Sequence, residues 1–356
     1  MTRLRGNDLD FPGRIPEDAA PINMKPIAAA ISLMLTLASS AGEITYTNPV
    51  WDGYLADPHA FKVGDTYYAV GTGEAPDGKQ FPILRSENFT DWELVGGAMD
   101  AIEGMKEYWA PEIVERDGKF YLHYAGDRKM RVAVADKPTG PYKDMGKRMF
   151  PDLEFSIDGH VFKDPGSGKW YLFFAKDFFD QRPGTALAAV ELADDMITPV
   201  GEPKTVMRAF ADWQIYERDR DLYDRKWDAW HTVEGPAVIF HEGKYRMFYS
   251  GGNWQTPGYG VGCAVSDSVT GTYVDSRSKD KASVIHTLPG ELIGPGHNSV
   301  ILGPDGKTWF NVYHSWNAER TKRQMCMDPI DWKDGAPVTR NPGRGKKTVA
   351  LSATAE

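Results

Sequence analysis

The 356-residue sequence predicts an all-β fold, a five-bladed β-propeller, on three observations. A hairpin signature recurs five times, its spacing suits a four-stranded blade, and the chain is rich in strand and turn residues. Each copy is a Gly-containing turn followed by an aromatic-rich strand: VGDTYYAVGT from Val63, DGKFYLHYAG from Asp117, SGKWYLFFAK from Ser167, EGKYRMFYSG from Glu242 and DGKTWFNVYH from Asp305. Asp-Gly and related pairs turn hairpins, and the β-branched and aromatic residues after them suit a pleated surface.

The turn glycines Gly64, Gly118, Gly168, Gly243 and Gly306 stand 54, 50, 75 and 63 residues apart, the length of a blade with loop insertions. Between them lie further strand-like pieces such as Arg131 to Ala135 and Val261 to Val265. These precede the turns Gly140-Pro141-Tyr142 and Gly271-Thr272-Tyr273 and repeat the third and fourth strands. A β-sandwich would also give short strands, but no repeating unit of this size. The longest interval contains the polar, Trp-, Tyr- and Arg-dense stretch from Asp212 to Trp230, predicted as a loop over one face of the disc.

Composition narrows the function. A formal charge of -9 disfavours nucleic acid and anionic membranes, which select clustered Lys and Arg, and leaves a neutral substrate as the better fit. With 41% hydrophobic residues the chain can bury its own core, and a monomer is expected. Lys25, the short apolar run from Pro26 to Leu37 and Ser39-Ser40-Ala41 read as a signal peptide over 24–41, too short to span a bilayer. The expected organisation is a spurious or disordered leader at 1–23, this export signal, a propeller at 44–340 and a flexible tail at 341–356, with secretion or a periplasmic location. Cys263 and Cys326 are too few for a disulfide framework; one bridge and two buried thiols both stay open.

A polar residue stands shortly before each hairpin: Asp57, Glu112, Asp158, Glu234 and His297, at seven, six, ten, nine and nine residues before the turn glycine. Innermost propeller strands line the axis, so these side chains are expected to converge there. Clustered acids raise one another's pKa, an electrostatic cost that points to a site. Glycosidic hydrolysis needs one protonated carboxyl and one ionised carboxylate.

Ala-Asp57-Pro-His, Ser-Ile-Asp158-Gly-His-Val-Phe and Val-Glu234-Gly-Pro, with Trp109-Ala-Pro-Glu112-Ile and Gly-Pro-Gly-His297, resemble the signatures of glycoside hydrolase family 43 from about Asn48 to Pro337. The resemblance implies an inverting glycosidase acting on α-L-arabinofuranosyl or β-D-xylosyl linkages of plant-type polysaccharide. Asp57 would be general base, Asp158 pKa modulator and Glu234 general acid. It also implies an apolar wall at Trp109, a weaker sugar contact at Trp254, and a substrate-reaching arginine at Arg323, for which a surface ion pair is the alternative. No cofactor is required. A structural calcium ion near the axis, held through water by His297, is a further expectation, although calcium prefers oxygen ligands.

Two departures bear on substrate: His59 stands where the family usually has a small residue and would contact sugar or narrow the pocket, and Gly159 replaces a common proline. Glu112 is expected to be structural, bonding backbone amides, and His123 and His314 to be core histidines. A non-catalytic carbohydrate-binding propeller is the alternative function.

Overall fold

The computed structural model describes residues 42–351. The expected leader and signal peptide, and the last five residues of the expected tail, lie outside the described residues. Strand β1 (Glu43–Asn48) leads into five antiparallel blades. Blade 1 holds β2 (Ala56–Val63), β3 (Thr66–Thr72), β4 (Gln80–Ser86) and β5 (Glu93–Met99). Blade 2 holds β6 (Tyr108–Arg116), β7 (Lys119–Gly126), β8 (Lys129–Ala135) and β9 (Lys143–Arg148). Blade 3 comprises β10 (Ser156–Lys163), β11 (Trp170–Phe178), β12 (Gly184–Leu192) and β13 (Pro199–Met207), extended by the hairpin β14 (Ile215–Leu222) and β15 (Arg225–His231). Blade 4 contains β16 (Val233–His241), β17 (Lys244–Gly251), β18 (Gly260–Ser266) and β19 (Ile285–His286). Blade 5 contains β20 (Ile293–Leu302), β21 (Trp309–Trp316), β22 (Arg323–Lys333) and β23 (Ala336–Thr339), after which β24 (Gly345–Ala350) pairs with β1.

The propeller is thus the architecture the repeats predict. Each signature is the turn between a blade's first two strands, and all five turn glycines take φ between 59° and 74°, where only glycine is free of Cβ strain. The stretch from Asp212 to Trp230 departs from expectation: instead of an irregular loop it forms a 3-10 turn (Asp212–Gln214) and most of the β14–β15 hairpin.

The core is divided into five apolar clusters, one at each blade-to-blade interface. Phe89 of blade 1 meets Phe310 of blade 5 edge to face at 4.9 Å, and both are fully buried. Burying such a side chain contributes about 1.5–3 kcal/mol. Cys263 and Cys326 share the cluster between blades 4 and 5 as free, buried thiols. No helix among the described residues is long and apolar enough to cross a membrane.

The ring closes through its termini. Asn48 Nδ2 donates to the Met327 carbonyl at 2.9 Å, and the Val50 and Leu55 N–H groups donate to the Met325 and Arg323 carbonyls along the free edge of β22. Buried Asp328 on β22 accepts from Tyr46, Asn48 and Tyr313 and pairs with Lys347 of β24 at 2.9 Å. The expected tail therefore needs correction: residues 345–350 are a strand held by six register pairs and a buried ion pair.

Candidate active site in the central channel

The first strand of every blade carries a bulge at its axial end. Register shifts fall between Ala56 and His59, Trp109 and Glu112, Ile157 and His160, Glu234 and Ala237, and Gly296 and Ser299. At each bulge one residue takes left-handed φ: Asp57 at 51°, Ala110 at 45°, Asp158 at 59°, Gly235 at 54° and His297 at 46°. Bulges re-aim side chains, and strain of this kind persists only where the surroundings enforce it. At four of the five the neighbouring blade enforces it. The Asp57 N–H donates to His314 Nδ1 (3.1 Å), Ala110 to Thr72 Oγ1 (2.7 Å), Gly235 to Asp158 Oδ2 (3.2 Å) and His297 to Ser250 Oγ (2.7 Å).

The bulges sort the five polar residues that sequence position alone had grouped. Asp57, Asp158 and His297 occupy the bulge itself, Glu234 precedes it by one residue, and Glu112 follows it by two. The first four line one cavity of about 520 Å³, together with Trp109, Trp254 and Arg323. Glu112 faces a separate cavity of about 350 Å³ with His59 and His123.

His59 is thus placed away from the other expected sugar contacts. Its Nδ1 accepts the Ile113 N–H at 3.2 Å, and its Nε2 faces Glu112 at 3.7 Å. His160 donates from Nδ1 to Glu112 at 2.9 Å while its Nε2 accepts the Val238 N–H at 3.0 Å. The partners of Glu112 are thus two histidines rather than the backbone amides expected, and with the Ile113 and Val238 N–H groups they join four blades. Gly159 has a packing reason: a Cβ there would sit 2.2 Å from Met130 Cε.

Within the main cavity, Arg323 Nη1 lies 3.1 Å from Asp57 Oδ1, with His314 Nδ1 at 3.3 Å and His297 Nδ1 at 3.4 Å. Arg323 is buried, stands 4.4 Å from the Trp254 ring and donates to the Tyr54 hydroxyl, so the surface ion-pair alternative is ruled out. Burial pushes the Asp57 carboxyl up, but Arg323 first and His297 next outweigh it and hold it well below the ordinary range. Burial likewise raises Glu234, to about 7, helped by Asp57 and opposed by the Tyr259 hydroxyl, which donates to Glu234 Oε1 at 2.7 Å. Asp158 is raised well above its usual value by burial first and by Glu234 and Asp57 next. At neutral pH the arrangement offers one ionised carboxylate opposite two that resist ionisation, the division of labour that acid–base hydrolysis needs.

The sequence model described as "Glycosyl hydrolases family 43" matches residues 46–337. The chain belongs to that family. An "Extracellular exo-alpha-(1->5)-L-arabinofuranosidase" of Streptomyces avermitilis is 27% identical over 83% of this chain and 60% of its own length. A "Beta-D-galactofuranosidase" of Aspergillus niger is 24% identical over 85% of this chain and 86% of its own. Among solved structures, a thermostable family-43 glycoside hydrolase superposes with a TM-score of 0.72 at 30% identity, covering 84% of this chain and 97% of that one.

The calcium expectation fits this family 43 channel poorly. The one group of metal-capable side chains found among the described residues is Asp158, Glu234 and His297, whose candidate ligand atoms lie within 4.8 Å of one another. Calcium takes six to eight oxygens. An imidazole nitrogen beside only two carboxyl groups is a poor match, and Asp158 Oδ2 is already engaged by the Gly235 N–H.

Two site residues escaped the sequence. Tyr259 and His314 belong to no signature, yet one bonds Glu234 and the other bonds Asp57. His314 was expected in the core, and it is fully buried, but its Nδ1 serves the Asp57 bulge. The position of His314 at the axial end of an inner blade strand, level with the Asp57 bulge, was the available signal.

Proposed function

We infer that this family 43 protein is an inverting glycoside hydrolase that releases α-L-arabinofuranosyl units from plant-type polysaccharide, with β-D-xylosyl linkages as the alternative substrate. The observation that carries the reading is the opposed protonation of Asp57 and Glu234 in one cavity. In this mechanism Asp57, kept ionised chiefly by Arg323, takes a proton from water as the water attacks the anomeric carbon. Glu234, protonated in the ground state, gives its proton to the departing glycosidic oxygen. Asp158 anchors the Gly235 amide beside the acid and, being close to Glu234, makes joint ionisation of the pair unfavourable.

Trp109 and Trp254 serve as apolar faces for sugar C–H groups. His297 bridges Asp57 and Asp158 at 3.4 and 3.9 Å and borders the bound sugar. The names of two relatives, both furanosidases, favour arabinofuranose, and a third, named a beta-xylosidase, keeps xylose as the alternative. A relative named extracellular, together with the apolar run from Pro26 to Leu37, supports secretion, and the protein is taken to act as a monomer.

The test is hydrolysis of nitrophenyl α-L-arabinofuranoside, nitrophenyl β-D-xyloside, arabinan and xylan, with the product anomer read by proton NMR in the first minutes. Release of sugar with inverted configuration supports the reading. Retained configuration removes the inverting mechanism; sugar binding without release, unaltered in Glu234→Gln, supports a binding propeller instead.

A further inference from the structure

The β14–β15 hairpin supplies Tyr216, Arg220, Leu222, Tyr223 and Trp230 to the cavity lining. It is joined to blade 3 where the His231 N–H donates to the Pro183 carbonyl, and at its tip the Tyr223 hydroxyl donates to Asp177 Oδ2. Asp177 on β11 stands directly across from Thr185 on β12, and both line the cavity.

Asp177 Oδ1 and Thr185 Oγ1 are buried with no hydrogen-bond partner among the described residues, and Thr185 is 5% exposed. Buried polar atoms in native proteins are nearly always paired. An acceptor beside a hydroxyl in one cavity wall matches the hydroxyl groups of a sugar. Beside them the aromatic rings of Phe179, Tyr223 and Trp230 lie within 5.6 to 6.2 Å of one another, Phe179 and Tyr223 being 56% and 42% exposed. Exposed rings next to a cavity suit the C–H face of a sugar ring.

We propose that Asp177 and Thr185, walled by Tyr223 and Trp230, bind the neutral sugar unit next to the bond that is cut, on its leaving-group side. This rests on the hydrolase reading above. The side follows from depth: a sugar seated on buried Asp57 and Asp158 directs the rest of its chain toward the more exposed hairpin. Neutrality follows from charge. Arg220, stacked between the Tyr216 and Trp230 rings at 4.6 and 5.6 Å, and Lys176 act on Asp177 itself, and Arg128 is paired with Glu107 at 3.0 Å. The Asp177 carboxylate repels a uronate. Tyr223 holds Asp177 Oδ2, and the incoming hydroxyl takes the unpaired Oδ1, so the hairpin stays in place as the wall.

The experiment compares kcat/KM on di- and trisaccharides of whichever sugar the wild type releases with kcat/KM on the nitrophenyl glycoside of that sugar. The nitrophenyl group offers no hydroxyls to the subsite. The ratio of the two falls on the order of tenfold in Asp177→Ala, as for loss of a hydrogen bond to a charged group, and less in Thr185→Val. Tyr223→Phe frees Asp177 while keeping the ring, and raises the ratio; it serves as the readout if Asp177→Ala lowers Tm. A ratio within about twofold of wild type in all three variants, or an equal fall on both substrates at unchanged Tm, overturns the subsite. Wild-type inactivity on every glycoside sinks the hydrolase reading, and the subsite with it; an active wild type with unmoved ratios sinks the subsite alone.

Discussion

Tyr259 donates its hydroxyl to Glu234 at 2.7 Å, and the same ring stacks on His314 with centroids 5.9 Å apart and planes 7° apart. Since His314 Nδ1 accepts the Asp57 N–H, two buried rings connect the proposed acid to the proposed base. A hydrogen bond to a carboxylate favours its ionised form.

Tyr259→Phe removes that bond. Glu234 then holds its proton more tightly, and the alkaline limb of kcat/KM moves up by up to about one pH unit. A limb that stays in place or moves down contradicts the role given to Tyr259.

The wild-type profile is bell-shaped. Its alkaline limb lies near 7, where Glu234 loses its proton, and its acid limb falls below the ordinary carboxylate range, where Asp57 gains one. In Glu234→Gln, assayed with an activated aryl glycoside, the alkaline limb disappears.

Stability carries the opposite signature. Glu234 binds its proton more tightly folded, at about 7, than at its unfolded value of 4.5, so the folded state loses stability as pH rises through that window. Glu234→Gln, which never ionises, is expected to be more stable than wild type above pH 7 by about 1–3 kcal/mol. Thermal melts at low and high pH check this; equal Tm differences at both would contradict it.

Arg323→Met leaves Asp57 buried without its cation. Removing one partner of a buried pair costs about 3–5 kcal/mol. The acid limb of activity moves upward as Asp57 becomes easier to protonate, and Tm falls. A variant with lowered activity but an unmoved acid limb would reduce Arg323 to a substrate contact.

Truncation after Arg344 removes β24 and with it Lys347, the cation beside buried Asp328. It also strips Leu351 from the cluster between blades 1 and 5. Loss of about 2–4 kcal/mol and several degrees in Tm is expected. An unchanged melt would return residues 345–350 to the status of a tail.

The blade count was readable because each hairpin turn demands a left-handed glycine, and Gly64, Gly118, Gly168, Gly243 and Gly306 announce that demand locally. Levels along the axis were not. An offset counted from the turn treats a strand as regular, whereas the bulges at Asp57 and Ala110 interrupt it: Glu112, on the turn side of its bulge, keeps the regular register opposite His123 and stays out of the plane that its spacing suggested. His59, likewise on the turn side of the Asp57 bulge, pairs with Val70 and faces Glu112 instead of the main cavity. Tyr259 and His314 were hidden for another reason: Tyr259 sits in the loop before β18 and returns to Glu234 of its own blade, while His314 on β21 reaches Asp57 only when blade 5 closes against blade 1. The ribbon of β1 and β24 depends on pairing across some 300 residues, for which Lys347 and Asp328 leave no local pattern.

The division of labour between Asp57 and Glu234 is tested most directly by comparing Asp57→Asn and Glu234→Gln on a natural linkage and on an aryl glycoside whose leaving group departs without protonation. The account predicts that Glu234→Gln loses on the order of a thousandfold on the natural linkage but far less on the activated one, while Asp57→Asn loses heavily on both. Equal losses for Glu234→Gln on the two substrates, or an Asp57→Asn variant that keeps its rate on either, would contradict it.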